Sequence, residues 1–166
     1  FAVLVAAALL AACQPSGPTD AWLGPIDVLE SPAGDGSRYP HLAAASDGRI
    51  VMSWLQPQAE GGFALRHATW DQGRWSAAGT VTSGTNWFVN WADFPSVVPV
   101  TPTTWVAHWL EQTPGSVYSY DVRVSGSRDG GATWSPAGSP HDDGTPTEHG
   151  FVTIYGADGA AQAVWL

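Results

Sequence analysis

The chain of 166 residues carries six cationic side chains, all arginine, against 15 acidic ones, and the formal charge of -9 argues against nucleic acid or anionic lipid as partners. An anionic small ligand would need a local arginine cluster. Ten tryptophans, 19 glycines and 13 prolines describe a turn-rich protein of many short strands. The single cysteine rules out an intramolecular disulfide and a cysteine-based metal site, so the core must hold by packing alone.

Phe1 to Ala12 is an unbroken apolar run ending in Leu10-Ala11-Ala12-Cys13. It is too short to span a bilayer as a helix, and it has the apolar core and small-residue cleavage point of a secretion signal. The tetrapeptide resembles a bacterial lipobox. That resemblance implies lipidation at Cys13, with Gln14-Pro15-Ser16-Gly17-Pro18-Thr19 as a flexible tether. The run lacks a basic segment before it, so the expectation is a piece of a longer precursor. Among lipoproteins an Asp after the cysteine marks inner-membrane retention; Gln14 stands there, which implies a protein anchored in the outer membrane of a Gram-negative bacterium. The expected organisation is a signal over 1–13, a tether and lead-in over 14–37, and a folded domain over 38–166.

A repeat governs that domain. Ser53-Trp54-Leu55, His108-Trp109-Leu110 and Val164-Trp165-Leu166 share a Trp-Leu pair at steps of 55 and 56 residues. Upstream of each lies a matching segment: Tyr39-Pro40-His41-Leu42, Phe94-Pro95-Ser96-Val97 and Gly150-Phe151-Val152-Thr153. Each unit is expected to hold four strands. In the first these run over 42–45, 50–55, 64–70 and from Trp75 to about Val81, with Ser46-Asp47-Gly48 as a hairpin turn. In the second they run over 96–100, 105–110 and 118–125 and from Trp134 onward. The third unit has two strands around Ala157-Asp158-Gly159. The predicted fold is all-β, a partial propeller of about two and a half four-stranded antiparallel blades; an immunoglobulin-like sandwich, the competing fold, does not predict the recurring Trp-Leu. Trp54, Trp109 and Trp165 are core by their period, Trp70, Trp75 and Trp105 are packing residues, and His41, His67 and His108 are packed strand residues.

Ser127-Arg128-Asp129-Gly130-Gly131-Ala132-Thr133-Trp134 matches the pattern S-x-D-x-G-x-T-W at every defined position, and Asp71-Gln72-Gly73-Arg74-Trp75 is a degenerate copy. Such a segment makes a hairpin turn in which Asp129 accepts hydrogen bonds, glycines supply positive φ and Trp134 plugs a gap between strands. It resembles the Asp boxes of bacterial sialidases and other BNR-repeat proteins, where Ser127, Asp129, Gly131, Thr133 and Trp134 would be structural and lie away from the active face. Arg38-Tyr39-Pro40 is similar to the Arg-Ile-Pro segment of sialidases, which implies Arg38 as a ligand for a substrate carboxylate.

Two loops carry the chemistry. Pro140 to Gly150 holds His141, Asp142, Asp143, Glu148 and His149, ionisable groups suited to general acid and base work. One unit earlier, Thr85 to Asp93 holds Asn90, Trp91 and Asp93, residue types that stack on sugar faces and bond sugar hydroxyls. Both loops enter the first strand of a unit, so both should open on one end, opposite the Asp box. The resulting expectation is a glycoside hydrolase, exo-sialidase-like, acting on extracellular glycans. Asp142, Asp143, Glu148 and His149 are the catalytic candidates, and Arg38, Asn90, Trp91, Asp93 and His141 the substrate-binding ones. No cofactor and no metal are called for. A non-catalytic propeller binding carbohydrate or protein is the alternative, and a metal site in the histidine-containing loop a third reading.

Overall fold

The computed structural model describes residues 24–166, so the signal, Cys13 and the start of the tether lie outside the described residues. The chain divides between Glu30 and Ser31, and the folded unit runs from Ser31 to Leu166. Among the described residues there is no helix, hence none long and apolar enough to cross a membrane. The described residues are all-β and form three antiparallel sheets, none closed into a barrel.

The first sheet orders β1 (Arg38–Ala44), β2 (Ile50–Pro57) and β3 (Phe63–Asp71), with β4 (Arg74–Trp75) and β5 (Gly79–Gly84) both on the far edge of β3. The second orders β6 (Ser96–Pro99), β7 (Trp105–Gln112) and β8 (Tyr120–Ser127). The third is the hairpin of β9 (Thr153–Ala157) and β10 (Ala160–Val164). Two of the hairpins turn on two residues with positive φ, Gln72 (48°) with Gly73 (81°) and Asp158 (51°) with Gly159 (76°). This conformation matches the twist of the flanking strands, and Gly at the second position supplies it without a steric cost.

The pairing corrects three expectations. The strand expected from Trp75 to Val81 is interrupted, because the Arg66 guanidinium reaches across its path and donates to the carbonyls of Gly79 (2.9 Å) and Ala78 (3.0 Å). The register of β3 with β5 shifts at that arginine. The strand expected from Trp134 is reduced to a single bridge, Val124 to Gly138. Pro136 and Pro140 flank it and have no N–H for a ladder. The repeat is also offset by one residue in its third copy: the pairs His41–Ser53, Ser96–His108 and Thr153–Val164 are equivalent. Pro40 and Pro95 therefore correspond to Val152, not to Phe151. Each Trp of the repeat follows its pair by one residue, Trp165 lying just beyond β10.

Alternation along β7 explains how the sheets stack. Trp105, Ala107 and Trp109 project to one side and join Val51, Leu55, Leu65, Trp87 and Val97 in a core between the first and second sheets. Leu110 projects to the other side and joins Tyr120 and Val122 in a second core, against which Phe88, Val152 and Trp165 pack. The second sheet is buried on both faces. Outward of the first sheet, the lead-in covers Trp54: Gln56 accepts from the Gly34 N–H (3.2 Å), the Ser37 hydroxyl (2.7 Å) and the Trp54 indole (3.4 Å).

The sheets are also stitched by polar groups. Ser53 Oγ accepts the N–H of Val97 (3.1 Å), and Ser96 Oγ lies 3.0 Å from Nδ1 of the buried His108. Burial, reinforced by nearby His41, depresses His108 from 6.5 to about 3. Burial also lowers His41 and His67. A base whose folded pKa is depressed binds fewer protons folded than unfolded, so stability rises with pH between the two values and falls as the solution is acidified through that window. Melting temperature should therefore drop steadily as pH is lowered from about 6.5 toward 3, at up to about 1.4 kcal/mol per pH unit for His108 alone. His108→Gln should flatten that slope, and an unchanged slope in calorimetry across this range would refute the assignment.

Candidate functional site

Tyr120, the first residue of β8, is fully buried, and both polar loops close on it. The loop after β5 lies along the end of β7: Phe88 N–H donates to Leu110 O (3.0 Å), Gln112 N–H to Asn86 O (2.8 Å), and Trp87 bridges Glu111. This seats the Phe88 ring flat on Tyr120, with centroids 4.0 Å apart and planes 13° from parallel, and Trp87 on Trp109 at 5.8 Å. The loop before β9 lies along the free edge of β8. Tyr120 N–H donates to Thr147 O (3.2 Å), and His149 N–H donates to Tyr120 O (3.1 Å).

The Tyr120 hydroxyl therefore stands between two carboxyl groups, one from each loop: Glu148 Oε1 at 2.6 Å and Asp93 Oδ2 at 3.2 Å. Asp93 is buried and Glu148 is exposed. Burial pushes the Asp93 carboxyl up from its usual range and the Glu148 charge adds to this, against hydrogen bonds from the Phe151 and Val152 N–H groups and from Tyr120. Burial and the two carboxyls push the Tyr120 phenol well above the ordinary tyrosine range, so it is a hydrogen-bond donor and not a phenolate. Phe151 holds φ at 53°, a left-handed conformation uncommon for an aromatic residue, in the segment that aims two successive N–H groups at Asp93. The preceding position is glycine because a Cβ there would run into Asp93 Oδ2 and the Tyr120 ring and hydroxyl.

Beside this group the rings of His141 and His149 stack at 4.0 Å and 15°. The Val122 N–H donates to His141 Nε2 (3.2 Å), and His149 Nε2 lies 3.2 Å from Asp143. The other nitrogen of His149 faces Tyr120 O (3.3 Å) and Asp121 Oδ1 (3.5 Å). Asp143 accepts from the Thr145 hydroxyl (2.6 Å), and that bond, with His149 next, holds its carboxyl down at about 2.

Of the nine residues singled out for catalysis or substrate binding, the structure gathers Asp93, His141, Asp143, Glu148 and His149 around the start of β8. Asp142 is exposed in the same loop. Asn90 turns back on its own loop and accepts the Ala92 N–H (2.8 Å), while Trp91 beside it is 78 % exposed. Arg38 is exposed at the start of β1, its guanidinium carbon 5.5 Å from the centroid of the Phe63 ring. The residues that sequence reasoning missed are Tyr120 and Asp121, hidden inside a strand expected to be pure framework. The available signal was their place at the head of β8, where a strand emerges into the loops.

The Asp box sits at the other end of the same strand, roughly 23 Å away at the rise of an extended chain. Ser127 donates to Asp129 Oδ1 (2.8 Å), Thr133 donates to both Asp129 oxygens through its N–H (2.9 Å) and hydroxyl (2.6 Å), and Gly131 N–H donates to Ser127 Oγ (2.9 Å). The Thr133 hydroxyl chiefly holds the Asp129 carboxyl at about 2. Trp134 packs edge-on to His67 of β3 at 5.8 Å, so this box plugs the gap between the first and second sheets. Compared with protein-family models, curated proteins and solved structures, the chain matches none.

Tyr120→Phe keeps the ring stacked on Phe88 and removes only the hydroxyl, leaving buried Asp93 short of a partner. Denaturant unfolding near neutral pH should show a loss of about 1–3 kcal/mol. Stability equal to the parent would mean the bridge contributes nothing.

Proposed function

We propose that the three sheets are successive blades of an Asp-box propeller, and that the chain is a glycoside hydrolase of extracellular glycans working at the loop end of the second sheet. The blade reading is supported by the equivalent registers of the three hairpins, by the core shared between the first two sheets, and by β6 lying against β1 and β9, as the inner strands of neighbouring blades do. The lipobox and Cys13 support an exported, outer-membrane-anchored protein, which is where such substrates are met.

One observation carries the catalytic reading: two carboxyl groups in unlike surroundings share a single phenol proton. The short contact orients Glu148 on the phenol proton, and burial raises the Asp93 carboxyl above its usual range. Two carboxyls in unlike surroundings divide acid from base duties. The two oxygens on the phenol are less than about 6 Å apart, nearer the separation of retaining glycosidases than the roughly 6.5–9.5 Å of inverting ones. Asp93 protonates the glycosidic oxygen as Glu148 attacks the anomeric carbon and the leaving group departs. A water that yields its proton to Asp93 then releases the sugar from Glu148. Asp93 opens on a cavity of about 340 Å³ with Phe94, Phe151 and Val152, and exposed Trp91 offers a face for a sugar ring.

The residues around this group are acidic, and the salt-bridged arginines are committed elsewhere, Arg49 to Asp47 and Arg123 to Glu111. This favours a neutral sugar over a sialic acid. The deeply buried, proton-retaining Tyr120 is likewise unlike the exposed tyrosine nucleophile a sialidase needs.

Screening of fluorogenic neutral glycosides should find turnover with retained anomeric configuration. Glu148→Gln should lower kcat by about 10²–10⁴. Asp93→Asn should do the same for alkyl glycosides but much less for dinitrophenyl glycosides, whose leaving group needs no proton. Glycan binding weakened by Trp91→Ala, with no turnover of any glycoside, would instead support the non-catalytic reading.

A further inference from the structure

A second feature at the head of β8 stands apart from the carboxyl pair and does not depend on the glycosidase reading. Asp143 faces one edge of the stacked histidines, 3.2 Å from His149 Nε2 and 3.6 Å from His141 Nδ1. A carboxylate in that position draws the ring protons to its own side, as carboxylates behind metal-bound histidines do. In that tautomer the opposite edge presents nitrogen lone pairs. His141 Nε2 accepts the Val122 N–H there, but His149 Nδ1 meets only oxygen acceptors, the Tyr120 carbonyl at 3.3 Å and Asp121 Oδ1 at 3.5 Å. His149 is 5 % exposed, so this edge is closed to bulk water, and either a proton on Nδ1 or a bound cation must satisfy the converging acceptors.

The spacing suits a metal ion. Ligands at about 2.1 Å from a tetrahedral zinc lie about 3.4 Å from one another, which is the separation found on either side of His149 Nδ1. Asp121, His141 and His149 can each offer a ligand atom such that all lie within 4.8 Å of one another. Imidazole nitrogens with carboxylate oxygen are the donor set of zinc and its neighbours.

We propose that Asp121, His141 and His149 bind one divalent ion of the zinc type beside the Tyr120 carbonyl, with Asp143 as the outer carboxylate that sets the histidine tautomers. His149 Nδ1 and Asp121 are the anchoring ligands. His141 joins by exchanging its Val122 hydrogen bond for the metal, which tilts its ring out of the stack. The ion ties the loop before β9 to β8 through the residue whose hydroxyl holds Glu148, so it fixes that loop in place.

The test is calorimetric titration of the metal-stripped chain with Zn²⁺, and visible absorption with Co²⁺, at about pH 7.5 and about pH 5.5. One ion per chain is expected, with tetrahedral cobalt bands, and binding should weaken sharply at the lower pH because the ligands must be deprotonated. His149→Ala and Asp121→Asn should each remove binding or weaken it at least a hundredfold, and Asp143→Asn should weaken it about 10–100-fold. Asp121 is half-buried and projects away from the second core, so Asp121→Asn serves if His149→Ala does not fold, with circular dichroism as the check. Asp47→Asn, in a distant turn, should bind as the parent does. Absence of zinc binding by the parent chain, or binding that survives Asp121→Asn and Asp143→Asn unchanged, would overturn the site and leave the cluster holding a proton only.

Discussion

The structure depends on the second sheet being buried on both faces. A strand with alternating side chains normally turns one face to water, but β7 turns Trp105, Ala107 and Trp109 into one core and Leu110 into another. Indole rings on the first side fill the core shared with the first sheet, and Leu110 on the second side joins Tyr120 and Val122 beneath Phe88, Val152 and Trp165. Truncating Trp105 or Trp109 in such a position would cost about 3–5 kcal/mol, a large share of the stability of any domain.

Double burial leaves the polar chemistry only the ends of the strands. At the far end of β8 the Asp box spends its polar groups on its own turn, with Asp129 saturated by Ser127 and Thr133, and offers an indole to the gap between sheets. At the near end the groups are not saturated internally. One phenol proton serves two carboxyls, and one buried imidazole nitrogen faces only acceptors. Unbalanced donors and acceptors of this kind mark places where a protein binds or transforms something else.

Tyr120 joins the two unbalanced groups. Its ring is fixed by Phe88 and the second core, its hydroxyl meets Asp93 and Glu148, and its carbonyl meets His149. A rigid aromatic anchored in a core can hold loop side chains to the tolerance that catalysis requires, whereas loops alone cannot. The left-handed Phe151 and the absence of room for a Cβ before it show the same demand written into the backbone.

The amino-acid sequence by itself determined the all-β class, the 55-residue repeat, most strand positions and the polar content of both loops, because these rest on period, on turn residues and on local composition. Its reading of the Asp box needed only neighbours within a few positions, and every bond predicted there is local. Tertiary structure alone decided that Arg66 would break the first sheet's outer strand, that the third repeat is offset by a residue, and that Asp93 and Glu148 would meet. Those outcomes depend on which carbonyl a long side chain reaches, and on two loops 55 residues apart converging on one hydroxyl in a strand between them. Tyr120 and Asp121 sit in an alternating strand pattern indistinguishable from framework. Nothing local separates a core tyrosine from one whose hydroxyl is shared by two acids, since that difference is made by burial and by partners 27 and 28 residues away.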